Sequence, residues 1–416
     1  MSGAGSPLIA RRSSLGTQLQ RARVAVAAVF FVNGAVLASW VPHIPFVKAR
    51  LAIGDGALGV VLLAMACGAL CALSIAGWLV ARHGSRRVTC AAGYGLCALM
   101  PLPVLAALAL PAAMPRAAPG LVALALFALG AANATLDVAM NAQAVVVETN
   151  YARAIMSSFH GLFSLGGLAG AAAAGIATQL GLAPAPHVLG SALLGGAVVL
   201  LAQRCLVRVA PAAGHTPVFV RPAGRLRWLG LLAFAALMAE GAMADWSAVY
   251  LHDGLDATPG LAAAGFAACA LLMAVGRLTG DRAVRAWGAP AVLRASGLLA
   301  ALGLGAALLA GRVAAAIVGC GLVGLGVANA VPILFSRAGR EPGVDPAVGL
   351  AAVASTGYLG FLAGPPLIGL IAELAGLPLG LGVVALACAL LAAGAGAVAD
   401  ERAADAPADA PAINHS

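Results

Sequence analysis

Charge is what this sequence has least of. Asp, Glu, Lys and Arg make up 9% of its 416 residues, and hydrophobic residues 62%. A soluble domain carries about 25% charged residues. A chain this poor in charge cannot cover a water-facing surface, so lipid is the natural solvent for most of it. Metal-ligand spacing is missing as well. The eight Cys all fall within or at the ends of apolar runs. Cys67 and Cys71, four apart on one helix face, read as packing residues. No nucleotide-binding signature is present, which argues against ATP as an energy source. An intramembrane enzyme would need a nucleophile paired with a base, or metal ligands at helical spacing, and His160 is read as having no such partner on its own helix, so the chain is not expected to be an enzyme. No cofactor is expected. A cleavable leader is not apparent either: the apolar run after Arg11, Arg12, Arg21 and Arg23 is too long for a signal-peptide core.

A helix needs about 20 apolar residues to cross the hydrocarbon core. Candidate spans are 24–47, 56–80, 88–110, 118–145, 154–180, 186–206, 229–251, 259–278, 290–311, 313–335, 347–372 and 376–398. The expected architecture is therefore all-α and integral to the membrane, with twelve spans and both termini on one side. The formal charge of +9 might suggest nucleic acid, but the Arg residues sit in short gaps between apolar runs. That is how topology determinants are placed. With the N-terminus in the cytoplasm, the inside segments hold nearly all the basic residues, among them Arg82, Arg86, Arg87, Arg153, Arg208, Arg277, Arg282 and Arg285. The outside segments hold Lys48, Arg50, Arg116 and Arg312. Both termini are thus expected in the cytoplasm of a bacterial-type inner membrane. The organisation reads as a tail (1–23), a six-helix bundle (24–206), a Pro- and Arg-bearing linker (207–228), a second bundle (229–398) and a disordered tail (399–416).

The halves repeat. Asn33-Gly34-Ala35 with Trp40 in span one answers Glu240-Gly241-Ala242 with Trp246 in span seven. Leu129-Gly130-Ala131-Ala132-Asn133-Ala134 in span four answers Leu325-Gly326-Val327-Ala328-Asn329-Ala330 in span ten, and Gly77 answers Gly276. A nearly constant offset of about half the chain marks a duplicated six-helix unit. Both copies start on the same side, so the repeat is parallel, as in transporters with a central site between halves.

Gly77-Trp78-Leu79-Val80-Ala81-Arg82-His83-Gly84-Ser85-Arg86-Arg87 resembles the loop signature of the major facilitator superfamily, with Ala81 where the signature has Asp. Gly276-Arg277-Leu278-Thr279-Gly280-Asp281-Arg282 resembles its half-repeat. Within the superfamily the chain is similar to fucose-permease-like proteins, especially the YbjJ-type branch. Asp137-Val138-Ala139-Met140-Asn141 resembles an acidic-x-x-x-Asn segment of their span four, and Ser158-Phe159-His160-Gly161 a polar segment of span five. Their acidic residue of span one has no acidic counterpart here. The resemblance implies two bundles around a central cavity lined by spans one, four, seven and ten. It also implies that Gly77, Arg82, Gly84, Arg86, Gly276, Asp281 and Arg282 form the conformational loop motif.

Polar groups inside lipid are costly, about 2.5–3.5 kcal/mol for a charge at the centre. Asp137 and Glu240 are the carboxylates well inside the spans, joined by Asn33, Asn133, Asn141 and Asn329. Asn133, Asp137 and Asn141 share one helix face by their spacing. Other readings stand beside a transport role. Asn133 and Asn329 also suit interhelical hydrogen bonding. Asp137 could anchor Arg82 or Arg153. Glu240 has no Arg expected at its depth, and Asp245 is expected to be solvated near the outer mouth. His160 suits either a site or a packed core. Trp40, Trp246 and Tyr358 could stack on a sugar ring or anchor at interfaces.

The expected function is secondary transport of a small polar solute, a sugar or related metabolite, by proton symport. Asp137 is the expected proton carrier and Glu240 a ligand or second titrating group. The partners are solute, protons and lipid, with no nucleic acid, and a monomer is expected. The alternative is a proton-coupled exporter. The absence of Pro from span five disfavours it, since drug antiporters of the superfamily carry a Gly-Pro motif there.

Overall fold

A computed structural model describes residues 7–109, 117–151, 155–208, 223–344 and 346–399, with the side chains of 7–16, 74, 157, 346 and 347 left aside. The tail 400–416, residues 209–222 of the expected linker, and Arg153 lie outside the described residues.

With no water in the bilayer core, each spanning segment must satisfy its backbone internally, and helices do so. Among the described residues twelve segments are long and apolar enough to cross a membrane. Span one joins α1 (Pro7–Ala38) to α2 (Ile44–Leu51) through a tight turn at Val41–His43. Next come α3 (Asp55–His83), the pair α4 (Ser85–Leu99) and α5 (Leu102–Ala109), α6 (Ala117–Tyr151), α7 (Met156–Gln179) and α8 (Pro184–Ala202). The second half has α9 (Leu226–Val249) with a wide turn at Tyr250–Gly254, α10 (Pro259–Trp287) and α11 (Ala289–Ala310). It continues with α12 (Val313–Val327) broken from α13 (Ala330–Ala338), then α14 (Pro346–Ala375) and α15 (Leu377–Ala393). Large apolar side chains stay open on the outer surface, Leu193, Leu302 and Leu386 among them. In water that would be a liability; in lipid it is solvation.

Each half closes through glycines that bring backbones together. A β-carbon on Gly130 would strike the Met65 carbonyl, and one on Gly324 the Cys269 carbonyl. One on Gly166 would strike the Phe31 carbonyl, and one on Gly360 the Phe234 carbonyl. The crossings α3/α6 and α1/α7 are therefore repeated as α10/α12 and α9/α14. This repeat differs in register from the one in the sequence. By these contacts Gly130 answers Gly324, not Gly326. Phe31 answers Phe234, so Glu240 lies one turn beyond the counterpart of Asn33. Likewise Gly84, which ends α3 at φ +81°, is matched by Gly288, which ends α10 at φ +80°. The sequence placed Gly276, Arg277, Asp281 and Arg282 at a span end or in a loop. They lie on α10, because the helix runs on until Gly288. Gly77 and Arg82 are likewise on α3, and Arg86 is on α4.

The halves meet mainly along α3 with α14 and α7 with α10. One face carries the turns after α3 and α10. Here Arg225 at the start of α9 donates to the carbonyls of Ala397 (3.0 Å) and Ala399 (2.6 Å) after α15. This is the termini face. On the opposite face Lys48 bridges Asp55 (2.6 Å) in its own half and Asp253 (2.7 Å) in the other. Nearby, the Gly56 amide donates to Glu373 (3.1 Å) of α14. These bonds join the two halves on the opposite face.

Candidate transport site

Asp137 sits within α6, fourteen residues before its last, Tyr151. One turn on, Asn141 Nδ2 donates to both the Asp137 carbonyl oxygen (2.9 Å) and Oδ1 (3.1 Å). One turn back is Asn133, whose Oδ1 is buried without a partner among the described residues. All three are half-buried, so the shared face expected from their spacing is present. Asp137 lies within electrostatic range of Glu240, and Tyr358 of α14 within range of both. Helices from the two halves thus bring two carboxylates and a phenol to one region.

Glu240 is not alone there. Arg277 of α10 places Nη2 3.2 Å from Glu240 Oε1. This corrects the expectation of an Arg-free depth. The run 259–278 looked like a whole span, which put Arg277 at its end. Because α10 continues to Trp287, Arg277 lies ten residues inside the helix, about 15 Å at 1.5 Å per residue. The same guanidinium donates through Nη1 to Ser164 Oγ of α7 (2.9 Å), and Ser164 donates on to the His160 carbonyl (3.3 Å). Arg277 therefore ties Glu240 in its own half to Ser164 in the other. The His160 ring faces the edge of Phe30 at 5.4 Å and is within electrostatic range of Arg277.

A charge inside lipid must be paired or neutralised by a proton. Glu240 has its counter-ion. Among the described residues the Asp137 carboxylate has only the Asn141 amide and no cation. Arg82, one of the anchors considered for Asp137, lies instead over the Trp78 ring at 5.3 Å.

The remaining residues singled out in the sequence have contacts of their own. Asn33 is 1% exposed, with Nδ2 3.7 Å from Met140 Sδ and Oδ1 unpartnered, so it is enclosed between α1 and α6. Asn329 sits at the break between α12 and α13 and donates to the Gly276 carbonyl (3.0 Å), bonding span ten to α10. Trp40 and Trp246 are core residues, with neither indole nitrogen partnered among the described residues. Tyr358 has Phe361 beside it, with ring centres 6.4 Å apart. Asp245 is half-buried and in no ion pair among the described residues. Arg277 and Ser164 are the residues that sequence reasoning missed. The usable signal was the unbroken helical pattern from Arg277 to Gly288.

Residues 26–345 match the family model of the Major Facilitator Superfamily. An uncharacterised MFS-type transporter of Yersinia pestis is 40% identical over 376 residues, 90% of this chain and 95% of that protein. The membrane protein MosC of Rhizobium meliloti is 38% identical over 357 residues, 85% of this chain and 84% of that one. Among solved structures, a D-xylose–proton symporter aligns with a TM-score of 0.67 at 12% identity, covering 90% of this chain and 96% of that one. The fucose:proton symporter FucP of E. coli aligns with a TM-score of 0.56 at 18% identity, covering 91% and 98%.

Proposed function

Since the chain belongs to the major facilitator superfamily, and is thus a membrane transporter and not an enzyme, we propose that it moves a small polar solute together with protons. The observation that carries this reading is Asp137, a carboxylate inside the spans whose one hydrogen-bond partner among the described residues is a neutral amide. A symporter needs a group that takes a proton from one side and gives it to the other. Asp137 can do this without breaking an ion pair. Glu240 cannot, because protonating it would strand Arg277.

In this mechanism Asp137 is the proton carrier. Glu240, Arg277 and Tyr358 surround the solute with a carboxylate, a guanidinium and a hydroxyl, a donor and acceptor set suited to a polyol or sugar. The names of the symporters that share the fold support a sugar-like solute. On this reading the bonds that join the halves on the opposite face hold that side closed, and access to the site is from the termini face. Release of Lys48, Asp253 and Glu373 would open the other side, with residues 207–228 joining two moving bundles, 24–206 and 229–398. The excess of Arg on the termini face supports a cytoplasmic location for it, in an inner membrane. A monomer suffices for this cycle.

The test is transport into proteoliposomes under an imposed proton gradient, over a panel of sugars and organic metabolites. Asp137→Asn should abolish accumulation yet keep exchange of solute between the two sides, which needs no net proton movement. If Asp137→Asn still accumulates solute while Glu240→Gln does not, the roles are reversed. If neither substitution affects accumulation, the mechanism is wrong.

A further inference from the structure

We propose a second site, apart from the transport site: a basic cavity on the termini face that holds a phosphate-bearing anion, the headgroup of an anionic phospholipid. The cavity, about 670 Å³, lies between the α3–α4 turn and the end of α8. Arg82, Arg86, Arg87 and Arg208 line it, together with His83 and Gln203. None of the four guanidiniums is in an ion pair among the described residues.

Their own half of the chain has few carboxylates with which to neutralise them. Across residues 1–228 the carboxylates are Asp55, Asp137 and Glu148. Asp55 is held by Lys48 on the opposite face. Asp137 is inside the spans. Glu148 Oε2 already accepts the backbone amides of Ile155 (2.8 Å) and Met156 (2.5 Å). Ala81, beside Arg82, brings no charge. Arg82, Arg87 and Arg208 are exposed and Arg86 half-buried, so water screens part of their mutual repulsion, and together they set up a positive potential that attracts an anion.

The cavity is built rather than incidental. Fully buried Gln143 of α6 donates to Ser85 Oγ (2.7 Å) and to the Val207 carbonyl (2.8 Å), and accepts from the Val207 amide (2.9 Å). It thereby pins both walls, one residue from Arg86 and one from Arg208. Arg86 Nε donates to the Gln203 carbonyl (3.0 Å), which fixes the guanidinium and leaves its terminal nitrogens for a ligand. A planar guanidinium fork matches two phosphate oxygens.

Trp78 favours a lipid over a soluble phosphate. Its ring lies under Arg82 and edge-on to His83 (6.3 Å), and it is half exposed near the termini-face end of α3. The rim of the cavity therefore carries an amphipathic aromatic of the kind found at headgroup level. Basic pockets at that level bind anionic headgroups, and the attraction is screened by salt.

The test uses the full chain in mild detergent, by native mass spectrometry with phosphatidylglycerol or phosphatidylcholine added. The wild type should retain one phosphatidylglycerol at least about tenfold in preference to phosphatidylcholine. Arg87→Gln/Arg208→Gln should lose that preference about tenfold, whereas Arg285→Gln/Arg294→Gln, in the other half, should keep it. An unchanged thermal midpoint in phosphatidylcholine shows that a variant is folded. If millimolar glycerol 3-phosphate or inorganic phosphate displaces the lipid from the wild type alone, the anion site stands and its natural ligand is soluble. Equal retention of the two lipids, or equal retention by both double variants, overturns the proposal.

Discussion

The latch on the opposite face can be opened by one substitution. Lys48 lies 2.7 Å from Asp253 across the halves and 2.6 Å from Asp55 within its own. Asp253→Asn removes the charge that crosses and leaves the Lys48–Asp55 pair intact. At 2.7 Å and an effective dielectric near 20, the gross attraction is about 6 kcal/mol. Desolvation offsets most of this, and the Asp253 side chain is 25% exposed, so the net is nearer about 1–2 kcal/mol. That corresponds to a five- to thirtyfold shift toward the state open on this face. Amide hydrogen exchange in the purified protein should report it, because the Gly56 amide is bonded to Glu373 across the two halves and parting them would free it. Exchange over residues 54–60 should accelerate by the same five- to thirtyfold. Asp55→Asn should do markedly less, since it leaves the crossing pair in place. Unchanged exchange in Asp253→Asn, or an equal rise in Asp55→Asn, would refute the latch.

Further outcomes are expected. Glu240→Gln should lower stability by up to about 3 kcal/mol, because it leaves Arg277 unpaired in a half-buried place, and Glu240→Gln/Arg277→Gln should recover part of the loss. Thermal melts of the wild type and the two variants check this, and a double variant no more stable than Glu240→Gln contradicts it. Gly68→Val drives its side chain into the Phe127 carbonyl of α6 and should cost about 1–3 kcal/mol or the folded yield, whereas Gly190→Ala meets nothing within 4 Å and should be neutral. Size-exclusion profiles after heating distinguish them. Reporter fusions after Arg221 should signal from the cytoplasm and fusions after Ala257 from the periplasm; the reverse pattern inverts the proposed orientation.

The class of this protein follows from quantities local to the chain. Twenty-residue apolar runs are long enough to span hydrocarbon, and a chain with 9% charge has nowhere else to fold. The shared face of Asn133, Asp137 and Asn141 is also local, since helix geometry alone sets it. Partnership is not local. Whether Glu240 is free or paired depends on where α10 ends and how it is rotated, and neither is visible while Arg277 is taken for a loop residue. The repeat shows the same limit. Similar letters suggested Asn33 for Glu240 and Gly326 for Gly130, but close packing pairs Phe31 with Phe234 and Gly130 with Gly324. Glycine-lined crossings are set by which backbones touch, and one turn of slippage leaves a sequence motif recognisable while moving its side chains about 5 Å along the axis. The basic cavity belongs to the same category. Its arginines were legible as topology signals, but the bonds of Gln143 to Ser85 and Val207, and of Arg86 to Gln203, are tertiary contacts that gather them around one space.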